Sequence, residues 1–430
     1  MPIPDSASQT RPILPGESGG NDTTMDDIGR KYLTLALNLN RHFEGFVDAY
    51  FGPPELEAES ETGQPRPLQA LADDAQRLLE AIVASDHDAQ RKDYLLGQTQ
   101  TISAILRKLS GEQLDYVEEV ELYYDITPEM VDETVFEAFR AEMDSLLPGK
   151  GSLAERMLAW EKSVELRPDG VLGVCERLVH EARIRARALF DLPPEEEVSL
   201  QLVENQPWQA YNWYLGQGRS RIDVSTDLPI RIEGVVPGMP HETYPGHHTE
   251  LAIKERLLYR GKGWAEHSIV AAGPQAVLAE GLAMWAWEII FEGTEFADFL
   301  REELYPLAGL SAEHVERDIA VIRANESMVG VVDGNAALLL HRDSRPPEEA
   351  QQYLVHFGLV TPERAAKGLE FLLHPLSRSY IFNYGVGRKL LAPLLKGQDR
   401  VENFARLLSE PFTPAQVRQW VADRVSSQDA

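Results

Sequence analysis

Apolar residues recur along most of the chain at three- and four-residue spacing, the period of one helix face. Val131, Val135, Phe139, Met143 and Leu146 form one such stripe. Thr127-Pro128-Glu129 ahead of it supplies an N-cap and a first-turn proline, and Pro148-Gly149 a stop. The Thr-Pro opening recurs at Thr361-Pro362 and Thr413-Pro414, each before another periodic run. Further helices are predicted over about 28–50, 66–85, 88–109, 152–166, 170–190, 263–292, 311–328, 334–343, 375–395 and 399–409. No fixed period marks a solenoid. One stretch departs from the helical pattern. Within 198–232, Ile222 and Val224 alternate with Arg221, Asp223 and Ser225 until Pro229, which predicts a short β-ribbon in a helical body. The expected fold is mainly α, one helical domain over 27–430 behind a mobile tail at 1–26 rich in Pro, Gly and Ser.

The 430 residues carry 41 Lys and Arg against 69 Asp and Glu, a net charge of −28, with 43% apolar residues. Without basic runs, such a chain repels nucleic acid and anionic lipid, so neither is an expected partner. No run approaches the roughly 18 apolar residues of a membrane span. The start lacks a basic segment followed by an apolar one, so no secretory signal is read. Cys175 stands alone, which suits a reducing compartment; the expected location is cytoplasmic. Gly16-Glu-Ser-Gly-Gly20 matches the GxSxG pattern of serine hydrolases, but between Pro15 and Asn21 it lacks the strand and helix that a nucleophile elbow needs.

The segment with chemistry is His241-Glu-Thr-Tyr-Pro-Gly-His-His-Thr-Glu250, which holds three of the eleven histidines. Zinc sites in hydrolases typically combine two imidazoles with a carboxylate, and a Glu beside a ligating His accepts a proton from water there. In HExxH the two His lie at i and i+4 on one helix face. Here i+4 is Pro245, and His247 and His248 lie at i+6 and i+7. On a straight helix those positions stand about 9 and 10.5 Å further along the axis. Convergence therefore requires a break, and Pro245-Gly246 supplies one, bringing His241 to either His247 or His248. The bland alternative is a His-rich turn without metal. His180-Glu181 elsewhere has Ile184 at i+4 and no following His, so it carries no such expectation.

A third ligand is expected at Glu280, the one carboxylate in Ala276-Val-Leu-Ala-Glu-Gly-Leu-Ala-Met-Trp-Ala-Trp287. Buried without a partner it would cost several kcal/mol, so it needs a cation or hydrogen bonds. Glu250 is expected to support a His or pair with Lys254, four residues on.

These residues carry a resemblance. HETYPGHHTE, with Pro207-Trp-Gln-Ala-Tyr-Asn-Trp-Tyr-Leu-Gly216, Gly218-Arg-Ser-Arg-Ile222 and Ala279-Glu-Gly-Leu-Ala283, resembles the bacterial domain-of-unknown-function family bearing HExxPGHH. The likeness runs from about residue 30 to the C-terminus, and that family is similar in fold to thermostable zinc carboxypeptidases. It implies a helical body around a deep cleft, one zinc ion per chain, His241, His247 and Glu280 as ligands with His248 as the alternative, and Glu242 as general base. It also implies substrate held along an edge strand at Arg219–Thr226, with Arg219, Arg221 and Arg388 binding substrate. Tyr384 or His341 would stabilise the oxyanion.

The expected function is a zinc peptidase of carboxypeptidase-like action on peptide or small amide substrates. The alternatives are a metal- or peptide-binding protein without turnover and a metal hydrolase of a non-peptide amide. Nothing in the sequence sets an oligomeric state.

Overall fold

The computed structural model describes residues 25–206 and 208–428. The GxSxG match and all but the last two residues of the expected tail lie outside them. The chain opens with α1 (Asp27–Asn40), whose N-terminus is capped by Asp26 accepting from the Gly29 amide at 2.7 Å. The helix expected to reach residue 50 stops ten residues earlier. Strand β1 (Val47–Tyr50) follows because its aromatic and β-branched residues pair antiparallel with β5 (Ile269–Ala271), more than 200 residues away. The Asn40 side chain accepts the Val47 amide at 2.9 Å and seals the corner.

Helices α2 (Pro54–Glu61), α3 (Leu68–Ala84), α4 (Ala89–Leu109) and α5 (Tyr116–Tyr124) come next. Helix α6 (Glu133–Leu146) begins five residues later than the Thr127-Pro128 signal predicts. Asp132 caps it, and the stretch before it is held out by Asn335, which accepts the Val131 amide and donates to the Val131 carbonyl, both at 2.8 Å. After α7 (Leu153–Ser163) and α8 (Val171–Leu189), strands β2 (Glu197–Val203), β3 (Ala210–Gly216) and β4 (Arg219–Ser225) form a mixed sheet of order β2-β4-β3. β2 runs parallel to β4, and β3 antiparallel to it.

Helices α9 (Ile232–Glu242) and α10 (His247–Lys254) carry the histidine motif. The long helix expected over 263–292 is instead β5 followed by two shorter helices, α11 (Pro274–Ala283) and α12 (Ala286–Ile290). The rest is α13 (Glu295–Phe299), α14 (Tyr305–Ala308), α15 (Val315–Glu326), α16 (Val331–His341), α17 (Pro347–Gly358), α18 (Pro362–Leu373), α19 (Ser377–Tyr380), α20 (Phe382–Leu395), α21 (Arg400–Ser409) and α22 (Pro414–Gln428). The fold is mainly α, as the hydrophobic period predicts.

Two apolar clusters underlie it. One gathers Met239 of α9, Ile253 of α10, Leu278 and Leu282 of α11 and Leu391 of α20. The other gathers α1, α3 and α4 with Val277 of α11, Val332 of α16 and Phe382 of α20. Helices α11 and α20 cross closely because both lack side chains at the contact. A Cβ on Gly387 would stand 2.2 Å from the Val277 carbonyl, and one on Gly281 would meet the Gly387 backbone at 2.7 Å.

Candidate metal centre

Helix α9 presents His241 and Glu242 in its last turn, then stops. Thr243 turns back on it, donating through both its amide and hydroxyl to the Met239 carbonyl. The chain passes through Tyr244 and a cis Pro245 to Gly246, whose amide donates to the Pro240 carbonyl at 3.1 Å. A Cβ at 246 would lie 1.9 Å from the His241 carbonyl, so only glycine lets α10 start this close over the end of α9. His247 is the first residue of α10. The two imidazoles at i and i+6 therefore face each other, ring centres 4.7 Å apart and planes nearly perpendicular.

Glu280 completes the group from α11. Its carboxylate lies 3.2 Å from His241 Nε2 and 3.6 Å from His247 Nε2, and the three donor atoms fall within 4.8 Å of one another. Tyr380 donates to Glu280 Oε1 at 2.6 Å. Burial opposes ionisation of Glu280, yet its carboxyl lies well below the usual carboxylate range, with the His241 and His247 imidazoles among the causes. Burial works to lower His247, yet Glu280, Glu242 and Glu250 push it up to about 9. The donor set fits a zinc ion: ligands of a tetrahedral site stand about 3.3 Å apart, and two His with one carboxylate leave a position open. His247 Nε2 is buried without a hydrogen bond, as a nitrogen reserved for a metal would be.

Glu242 sits beside this group, 7% exposed, and its buried Oε2 has no hydrogen-bond partner. Its main-chain carbonyl is fixed by Asn212 of β3, which donates at 2.8 Å. His241, Glu242 and Tyr384 line one cavity of about 500 Å³. The Tyr384 ring lies 6.5 Å from that of His241. Burial, then Glu280 and Glu242, raises its phenol well above the ordinary value, so it stays a neutral donor.

His248 points the other way. Its Nδ1 lies 2.8 Å from Ser220 Oγ and its Nε2 3.2 Å from Glu196, which places it behind the motif and corrects its reading as an alternative ligand. Glu250 takes the Lys254 ammonium at 2.6 Å. His341 is also elsewhere: it donates Nε2–H to the Leu372 carbonyl at 2.7 Å and packs on Tyr116. Neither it nor the three arginines lines the cavity. Arg219 donates to Gln217, Arg221 is paired with Asp223 over Trp213, and Arg388 with Glu288 over Trp285. Arg221 and Arg388 already have carboxylate partners, and Arg219 is held only through its contact with the Gln217 side chain. Strand β4, which carries Arg219 and Arg221 and was expected at an edge, is central, so it has no free main-chain row for an extended substrate.

The sequence reading gave Tyr380 and Asn212 no role of their own. Tyr380 stands four residues before Tyr384, so both phenols fall on one helix face, a signal the spacing contained. Asn212 is placed by β3 and had none.

Glu196 behind the motif gives a pH test. Burial alone would raise it; hydrogen bonds from His248, Tyr244 and Arg183 overcome burial and lower it to about 2. A depressed carboxyl contributes stability that is complete above its unfolded value, about 4.3, and disappears as pH falls toward about 2. Glu196→Gln is expected to flatten the acid limb of the stability curve across that window, measured by urea unfolding at stepped pH. An unchanged limb would show that the network does not hold the carboxylate.

No family model and no curated protein matches the chain. Among solved structures it is similar to a candidate lipoprotein from Colwellia psychrerythraea, with TM-score 0.52 and 13% identity over 84% of this chain and 70% of that one. A candidate lipoprotein of unknown function from Shewanella oneidensis aligns with TM-score 0.49 and 12% identity, over 92% of this chain and 83% of that one. These findings overturn the resemblance to the HExxPGHH family and to zinc carboxypeptidases: no family model supports it, and the structure matched at TM-score 0.52 is of a different description. No helix among the described residues is long and apolar enough to cross a membrane.

Proposed function

We propose that the chain is a zinc-dependent hydrolase of peptide or small amide bonds, with His241, His247 and Glu280 holding the ion. The convergence of two imidazoles and a carboxylate beside an unpartnered Glu242 carries this reading. A zinc ion bound there supplies Lewis acidity and brings the pKa of a water to about 7. Glu242, which lines the cavity and whose Oε2 has no hydrogen bond, takes a proton from water and returns it to the leaving amine. Tyr384 donates its hydroxyl hydrogen to the oxygen on which charge develops. Tyr380 holds Glu280 in one orientation through its 2.6 Å hydrogen bond.

A carboxypeptidase preference loses its support, since Arg388, expected to bind substrate, is engaged by Glu288 and does not line the cavity. The Pro-Gly between the histidines lends the non-catalytic alternative no support, since in this geometry it is what turns His247 toward His241. For location, the single cysteine favours the cytoplasm, and the lipoprotein descriptions favour an anchored or exported chain; at 13% identity the neighbour shows the fold alone.

The direct test is elemental analysis of protein purified without chelator. One zinc per chain in the wild type and none in His241→Ala, with hydrolysis of some member of a broad peptide library, is the expected result. Wild-type protein that stays metal-free after zinc is added would end the proposal.

A further inference from the structure

His241 leaves α9 and His247 opens α10, so the residues joining the two helices decide whether the imidazoles meet. His247 does not fix itself, because its Nε2 accepts and donates no hydrogen bond. Its place is set by the chain on either side, and both sides are held by one carboxylate. Glu196 precedes β2, and its side chain has no exposed surface. Its Oε2 accepts from the Tyr244 hydroxyl and from His248 Nε2, the latter at 3.2 Å. An ionised carboxylate only accepts, so the imidazole donates. Tyr244 stands three residues before His247 and His248 one after it, and their rings meet edge to face with centres 4.9 Å apart. Both are fully buried.

The other oxygen of Glu196 belongs to α8. Oε1 takes Arg183 Nε at 2.9 Å and Arg187 Nε at 2.8 Å, and the Glu196 carbonyl takes the Arg183 guanidinium at 2.7 Å. The carboxylate thus ties the motif to a helix that carries no donor atom of the metal centre. A second tie comes from β4, where Ser220 Oγ lies 2.8 Å from His248 Nδ1. Neighbouring residues on a helix point about 100° apart. With both nitrogens of His248 engaged, the first turn of α10 cannot rotate about its axis without breaking those bonds, and His247 is left facing His241.

We infer that Glu196 is a positioning residue of the metal centre, which holds His247 in place through Tyr244 and His248. The inference rests on His241, His247 and Glu280 holding a metal ion, and not on hydrolysis. The chain also contains a bond of the same kind with no link to the motif: Tyr305 of α14 donates to the buried Asp318 of α15 at 3.1 Å. Removing either phenol hydroxyl costs one buried hydrogen bond to a carboxylate. Only the loss at Tyr244 should reach the metal.

The test is metal binding to the full chain freed of divalent ions, with zinc affinity from competition with a chromophoric chelator and cobalt uptake followed by visible absorption. Tyr244→Phe and Glu196→Gln are expected to weaken zinc binding about 10–100-fold, the range for a partner that orients a ligand. They should also change the visible cobalt bands, which report ligand geometry. Tyr305→Phe should keep the wild-type affinity and bands, even where urea unfolding shows it as destabilised as Tyr244→Phe. Tyr244→Phe keeps its ring and both arginine pairs of Glu196, so it decides the matter if Glu196→Gln does not fold. Wild-type affinity and bands in Tyr244→Phe, or an equal loss in Tyr305→Phe, overturns the inference and leaves the metal site standing. A wild-type chain that takes up neither metal removes both.

Discussion

Glu242→Gln is expected to lower hydrolysis of any peptide the zinc-loaded protein cleaves by about 10²–10⁴-fold, the range for removing a positioned general base. Zinc content should stay at one per chain. The substitution is nearly isosteric, and the main-chain carbonyl of residue 242 is fixed by Asn212, so the end of α9 has no reason to move. Oε2 has no hydrogen bond to lose. What the variant loses is the capacity to accept a proton. The loss should appear in kcat with KM little changed, as for an interaction confined to the transition state. A variant that loses its zinc would instead make Glu242 a ligand, and one that retains full turnover would remove it from the mechanism.

Gly387→Ala is expected to destabilise the fold by about 1–3 kcal/mol and to weaken zinc binding about 10–100-fold, although residue 387 touches no donor atom. The added methyl would stand 2.2 Å from the Val277 carbonyl and 3.0 Å from the Gly281 Cα. Both obstacles are main chain, so relief requires α20 to back away from α11. Tyr384 precedes residue 387 on α20, Tyr380 ends α19 just ahead of it, and Glu280 precedes Gly281. Separating the helices lengthens the Tyr380–Glu280 hydrogen bond. Urea unfolding gives the first quantity and competition with a chromophoric chelator the second. Gly397→Ala, where a Cβ meets nothing within 4 Å, is the control. Equal behaviour of the two variants would show that the crossing has slack.

Much of the helical framework was legible because amphipathic helices bury one face wherever they lie: α4, α8 and α21 start and stop within a residue or two of the periodic runs. Strand β1 was not, since its partner lies near residue 270 and nothing local distinguishes Val47–Tyr50 from one more helical turn. The start of α6 depends on Asn335, again a distant residue. At the site, the composition of the motif and the isolated carboxylate of Glu280 directed attention to residues that the fold brings together. The choice between His247 and His248 was beyond any period argument. It turns on how the chain crosses Gly246, and on Ser220 and Glu196 occupying the second imidazole. The arginines were misread for a related reason: type and position do not reveal that a guanidinium already has its carboxylate.

Glu280 lies between Val277, which belongs to one apolar cluster, and Leu282, which belongs to the other, while His241 and His247 are borne by helices of the second. The donor triad is thus also a clasp across the seam between two separately packed masses. Any change that lets those masses slide, however far from the histidines, spreads the donors apart; holding the donors together resists the slide. Repacking either mass without regard for the other would loosen the clasp before it unfolded the protein.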